Sequence, residues 1–249
     1  MGKLKFALQL YTVRDHLDKD VPGTLEKVKK IGYHYVEGGG THGLTHEAFQ
    51  KHLERAGLKA CSIHVGYDDV TRDVSKVIEL AALYRVKYVA IGGIDSKLTP
   101  DRKGWISCGT ALDAGGAALR AAGIQLCYHN HAHEFQLIGG ECPLDLLLGA
   151  ARPENLAAQI DVFWVRYAGL DPVTIINRWS GRCPLIHVKD MASTKSRAFA
   201  AVGLGVLHWP EIFAAAIRAG VAWYIVEQDV CPRDSLESAA ESAEFMAKQ

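Results

Sequence analysis

The stretch "IQLCYHNH" (residues 124–131) begins as an unbroken apolar run and ends in two histidines one residue apart. A strand with one wet face alternates apolar and polar side chains. A run that stays apolar belongs to a strand covered on both faces, as a parallel sheet requires. Seven further runs read the same way: "KFALQLY" (5–11), "YHYVEGG" (33–39), "KACSIHVG" (59–66) and "KYVAIGG" (87–93) before it, and "LAAQIDVF" (156–163), "PLIHVKD" (184–190) and "WYIVEQD" (223–229) after it.

Between these runs lie segments with helical spacing, among them "GTLEKVKKIG" (23–32), "HEAFQKHLERAG" (46–57), "VSKVIELAALYR" (74–85), "CGTALDAGGAALRAAG" (108–123) and "PEIFAAAIRAG" (210–220). Gly32, Gly57, Gly123 and Gly220 stand where helix C-caps are expected. Strand and helix thus alternate through 249 residues, about 31 per unit, a period that predicts an α/β fold of the (β/α)8 TIM barrel type. The competing arrangement is a doubly wound open sheet. No linker, low-complexity or charge-run segment divides the chain, so one domain over 1–249 is expected.

Lys plus Arg and Asp plus Glu both total 28. No global field therefore draws in nucleic acid or an anionic membrane, and the expected partner is a small molecule. The six cysteines form no C-x-x-C pair, and the apolar part of "MGKLKFALQLY" is too short for a signal segment. Reduced thiols and a cytoplasmic location are the expectation.

In such a barrel the loops after the strands carry the chemistry. Polar residues gather at those ends: Glu37 after the second run, His64 after the third, His129, His131 and Glu134 after the fifth, Asp161 after the sixth, His187, Lys189 and Asp190 after the seventh, Glu227 and Asp229 after the eighth. The opposite ends carry no comparable set. Carboxylates and an imidazole converge without mutual repulsion around a divalent cation, and an oxygen-rich set with one histidine suits Mn²⁺, Mg²⁺ or Co²⁺, with Zn²⁺ also compatible. Cys127 reads as a wall residue.

Together, "LQLYTVRD" (8–15), "YHNHAHEF" (128–135), "IDVFWVRYAGLDP" (160–172), "LIHVKDM" (185–191), "VGLGVLHW" (202–209) and "YIVEQD" (224–229) resemble the xylose-isomerase-like TIM barrel superfamily. That group of sugar phosphate isomerases and epimerases includes keto-sugar epimerases, inosose dehydratases and keto-glycoside lyases. The resemblance implies one divalent metal ion held by Glu134, Asp161, His187 and Glu227. Relatives often have the first glutamate on strand 5 itself, where this chain has His129-Asn130-His131. Either Glu134 reaches back from the loop or a strand-5 histidine replaces it. Trp164 stands where epimerase relatives often have a histidine, and Leu204 where a glutamate is common. Family members often form dimers or tetramers, so a homo-oligomer is expected on the same ground.

The chemistry so implied is proton removal next to a carbonyl of a keto-sugar, through a metal-bound enediolate. Glu134, Glu227, His131 and Lys189 are the expected catalytic groups, and Glu37, His64, His129 and Trp164 the expected substrate contacts. Isomerase or epimerase activity comes first in this reading, with a lyase or dehydratase as the alternative. An abasic-site nuclease would require more histidine ligands and a basic face. A binding-only barrel would lack the ligand set, "EGGGTHG" (37–43) and "GLG" (203–205) lack dinucleotide spacing, and no G-x-S-x-G elbow occurs.

Overall fold

A computed structural model describes residues 3–249. Met1 and Gly2, the start of the segment weighed above for targeting, lie outside the described residues. Eight parallel strands close into a barrel: β1 (Phe6–Gln9), β2 (Tyr35–Gly38), β3 (Lys59–Val65), β4 (Tyr88–Ile91), β5 (Gln125–His129), β6 (Leu156–Asp161), β7 (Leu185–Val188) and β8 (Trp223–Val226). Closure comes from β1, whose Leu8 is opposite Val36 of β2 on one side and Val226 of β8 on the other. The open-sheet alternative is thereby excluded.

One main helix follows each strand: α1 (Val21–Ile31), α2 (His46–Ala56), α3 (Val74–Tyr84), α4 (Arg102–Ala121), α5 (Pro143–Gly149), α6 (Pro172–Arg178), α7 (Trp209–Ala219) and α8 (Ser235–Met246). Their starts are written locally. The side chains of Asp20, Thr45, Asp101, Asp171 and Asp234 accept hydrogen bonds from first-turn backbone N–H groups that have no partner within the helix. The expected glycine stops hold: Gly32, Gly57 and Gly220 are left-handed C-caps, and Gly123, just past α4, has φ 77°. Within α4, glycine permits close packing. A Cβ on Gly109 would lie 2.2 Å from the Leu147 carbonyl oxygen, and one on Gly116 2.1 Å from that of Asn155.

Two apolar layers result. The outer one lies between strands and helices and includes Leu126, Ile160, Ile186 and Val226. The inner one plugs the barrel with Ala7, Cys61, Ala90, Cys127, Ala157, Leu185 and Ile225. Small side chains predominate there because the closed barrel leaves its axis little room. Cys127 is thus a plug residue, and all six cysteines are free thiols. No helix among the described residues is long and apolar enough to cross a membrane.

Candidate active site

Side chains along a strand alternate between its faces, so residues two apart share one. Two positions beyond Ala7, Cys127, Ala157, Leu185 and Ile225 of the plug stand Gln9, His129, Gln159, His187 and Glu227, all buried. A further step gives Asp161, Lys189 and Asp229. Strand β2 adds Glu37, and β3 adds Ser62 and His64, after a register shift between Val36 and Glu37. The apolar plug is therefore capped by a polar layer at the mouth where the strands end.

The deepest group is Glu37. One carboxylate oxygen accepts from Gln9 Nε2 at 2.8 Å and faces His187 Nε2 at 2.6 Å. The other accepts from Ser62 Oγ and from Gln159 Nε2 at 2.7 Å. Burial opposes its charge, but His64 and His187 outweigh burial and hold Glu37 well below the usual carboxylate range. Glu37 was expected to contact substrate. With no exposed surface and every lone pair directed at a neighbour, it is a buried anchor instead.

Above it, one potential ligand atom each from His129, Asp161, His187 and Glu227 lies within 4.8 Å of the others. His187 Nδ1 faces Glu227 Oε2 at 2.7 Å. Burial disfavours the imidazolium, yet Glu37 and Glu227 on either side raise His187 to about 10. Burial pushes Asp161 up to about 6, and burial with the charges of His187 and Lys189 drives His129 well down. Lys189 hydrogen-bonds both oxygens of Asp229 at 3.2 and 3.0 Å. Its Nζ also lies 2.7 Å from Glu227 and 3.0 Å from Asp161. Asp161 Oδ2 has the Lys189 ammonium beside it, whereas His129 Nδ1 is buried without a hydrogen bond. Unpartnered atoms of this kind cost about 1–3 kcal/mol each. Two nitrogen and two oxygen donors, with His129 carrying such an orphan atom, fit a divalent cation.

Several expectations are corrected here. Glu134 does not reach the cluster: its oxygens accept from Tyr128 Oη at 2.9 Å and from the His131 backbone N–H at 2.8 Å, folding the loop after β5 onto itself. His129, expected as a substrate contact, stands in its place in the quartet. Burial and the Lys189 charge lower His131 to about 4, which favours the neutral imidazole. Lys189 is committed to carboxylates. Asp190 turns away, accepting from Gly203, Gly205, Leu207 and the Trp209 indole N–H. Trp105 is core. Trp164 remains at the rim, its ring 5.6 Å from that of His131 and its Nε1 without a partner.

A cavity of about 310 Å³ opens beside the quartet, bordered by Gln9, Tyr11, Arg14, His42, His64 and Glu227, within the usual range for small-molecule sites of roughly 300–1,000 Å³. Larger hollows of about 660 and 610 Å³ at the other mouth are lined by Arg120, Arg182, Tyr35 and Trp223, with no comparable set of acids and imidazoles. Gln9, Ser62 and Gln159 are site residues that reading for acids and histidines missed. Counting in twos from the apolar plug would have found Gln9 and Gln159.

Cation binding must displace protons from this cluster. His187 is held charged up to about 10, and Asp161 is protonated below about 6. Affinity is expected to rise about tenfold per pH unit from 6 to 9 and more steeply below 6, as both groups must then deprotonate. Mn²⁺ titrations at pH 5 to 9 measure the slope; an affinity independent of pH contradicts the assignment.

The profile of the family described as "Xylose isomerase-like TIM barrel" matches residues 25–249. The chain belongs to that family. An inosose dehydratase of Lacticaseibacillus casei is 27% identical over 161 residues, covering 57% of this chain and 53% of that protein. The chain thus spans about half the length of this curated relative. An inosose dehydratase of Geobacillus kaustophilus is 23% identical, covering 88% of this chain and 82% of that one. A solved sugar phosphate isomerase/epimerase of Parabacteroides distasonis superposes with a TM-score of 0.85 at 22% identity, over 99% of this chain and 95% of that one. At that identity the superposition speaks to fold. As their names state, these relatives are enzymes.

Proposed function

We propose that the protein is a divalent-cation-dependent enzyme that removes the proton next to the carbonyl of an uncharged keto-sugar or inosose, with expulsion of a β-hydroxyl or glycosidic oxygen following. The observation that carries this reading is the quartet of His129, Asp161, His187 and Glu227, which meets the cavity through Glu227. The dehydratase and isomerase/epimerase names of the relatives support it.

A cation held by the quartet would supply Lewis-acid stabilisation, on the order of several kcal/mol, to the oxygen that gains charge as the proton leaves. Two imidazoles in place of one favour Mn²⁺, Co²⁺ or Zn²⁺ over Mg²⁺. Glu227 takes the proton and returns it to the departing oxygen. Lys189, 2.7 Å from Glu227, offsets negative charge as it builds. Trp164 packs its ring against His131, with its indole N–H buried and without a partner.

Epimerisation ordinarily requires a second group to return the proton on the opposite face. Two carboxylates border the cavity, Glu227 at a strand end and Asp18, which is paired with His42 Nδ1 at 2.6 Å, while Glu134 is turned away. Elimination needs a single such group, so it precedes isomerase or epimerase activity, which stands as the second reading. Incubating the Mn²⁺-loaded protein with keto-inositols and 3-keto-glycosides, with products read by NMR, tests the order. Loss of water or aglycone supports elimination; an epimer without elimination supports the second reading and overturns the first.

The substrate is read as uncharged because Arg14, the guanidinium of the cavity, is spent on the Tyr11 and Asp229 backbone carbonyls at 2.6 and 2.7 Å. An unpaired phosphate there would be desolvated without compensation. A phosphorylated keto-sugar is therefore expected to compete at least about tenfold more weakly than its free counterpart, as measured by inhibition constants; equal competition contradicts this.

A further inference from the structure

We propose that Glu37 is a positioning residue that fixes which nitrogen of His187 is offered to a cation, and thereby sets the cation affinity of the site. This rests on the reading of the quartet given above. The imidazole of His187 lies between two carboxylates, with Nε2 2.6 Å from Glu37 and Nδ1 2.7 Å from Glu227. Glu227 is a quartet member, whereas Glu37 lies beneath it, next to the plug. Nε2 therefore keeps its proton for Glu37, and Nδ1 turns to the quartet.

The anchor is itself immobilised. Gln9, Ser62 and Gln159, from three different strands, each donate to Glu37, and their side chains are 2%, 0% and 0% exposed. His64 completes the packing, its ring stacked on His187 at 5.6 Å and 16° and its Nε2 3.1 Å from Glu37. A carboxylate held by this many donors has no rotamer freedom left, and the same holds for the imidazole it grips. A carboxylate behind a ligating histidine orients the ring and raises its basicity, and losing one typically costs about 10–100-fold in metal affinity.

The first test uses the unaltered protein with zinc and ¹⁵N-labelled histidine. The His187 Nε2 is expected at a protonated-nitrogen shift with a slowly exchanging proton, and Nδ1 at a metal-bound shift. The second test compares Zn²⁺ and Mn²⁺ dissociation constants for wild type and Glu37→Gln. The variant is expected to bind about 10–100-fold more weakly, and Glu37→Asp to recover part of the loss. Tight zinc binding by wild type with Nε2 as the ligating nitrogen overturns the proposal, even if the variant does not fold. So does a folded Glu37→Gln that binds as wild type does. If wild type binds no divalent cation, the reading of the quartet fails first and takes this proposal with it.

Discussion

Glu227→Gln is expected to lower the rate of α-proton removal by about 10²–10⁴-fold, the usual contribution of a placed acid–base group. The change keeps the side chain's shape but removes the charge facing His187 Nδ1 and the Lys189 ammonium. Burial favours the neutral acid, and Lys189 and His187 overcome it, so Glu227 stays ionised well below the usual carboxylate range. Without that charge the quartet loses a ligand and two buried cations lose a counterion. Both turnover and cation affinity should therefore fall together, in single-turnover kinetics and in metal titration. Turnover retained within about threefold would remove Glu227 from the mechanism.

The largest effect on stability is expected away from the chemistry, at Asp190. Its two oxygens accept from the backbone N–H groups of Met191, Gly203, Gly205 and Leu207 and from the Trp209 indole, at 2.8 to 3.2 Å. The segment after β7 is wound around this one carboxylate. A Cβ on Gly205 would come within 2.2 Å of Asp190 Oδ1, so glycine is required for the wrap. Asp190→Ala would strand several buried donors at about 1–3 kcal/mol each, with partial relief as the loop rehydrates. The net loss is expected to be about 3–5 kcal/mol, read from urea unfolding. A loss below about 1 kcal/mol would mean that the loop holds its shape by other contacts.

Much of the fold was legible because its signals are local. Runs apolar on both faces marked the strands, and Gly32, Gly57, Gly123 and Gly220 marked where helices stop. Helices α5, α6 and α8 were not singled out; α5 and α6 have seven residues each and thus barely two turns of period to detect, whereas α8 has twelve.

The strand ends pointed to one mouth of the barrel, and Asp161, His187 and Glu227 do come together there. The sequence does not say which way a loop folds back. Glu134 and His129 are five residues apart, and only the bonds from Tyr128 and the His131 backbone to Glu134 decide that the histidine faces the quartet. Nor does it distinguish a carboxylate that meets solvent from one buried under five donors, as Glu37 is. That difference depends on Gln9, Ser62 and Gln159, neutral residues without a catalytic signature that only barrel closure brings together. Asp190 was misread for the same reason: apart from the adjacent Met191, its partners lie 13 to 19 residues downstream.

The central claim is that a divalent cation in the quartet and Glu227 together make the carbon next to a carbonyl exchange its proton. The most direct measurement is hydrogen–deuterium exchange by NMR, with a keto-inositol in D₂O and protein of known metal content, before and after chelation. One cation per chain, exchange that disappears on chelation and exchange restored by Mn²⁺ or Co²⁺ are the predicted results. Exchange that persists at full rate in chelated protein, or its absence in protein carrying one cation per chain, would contradict the account.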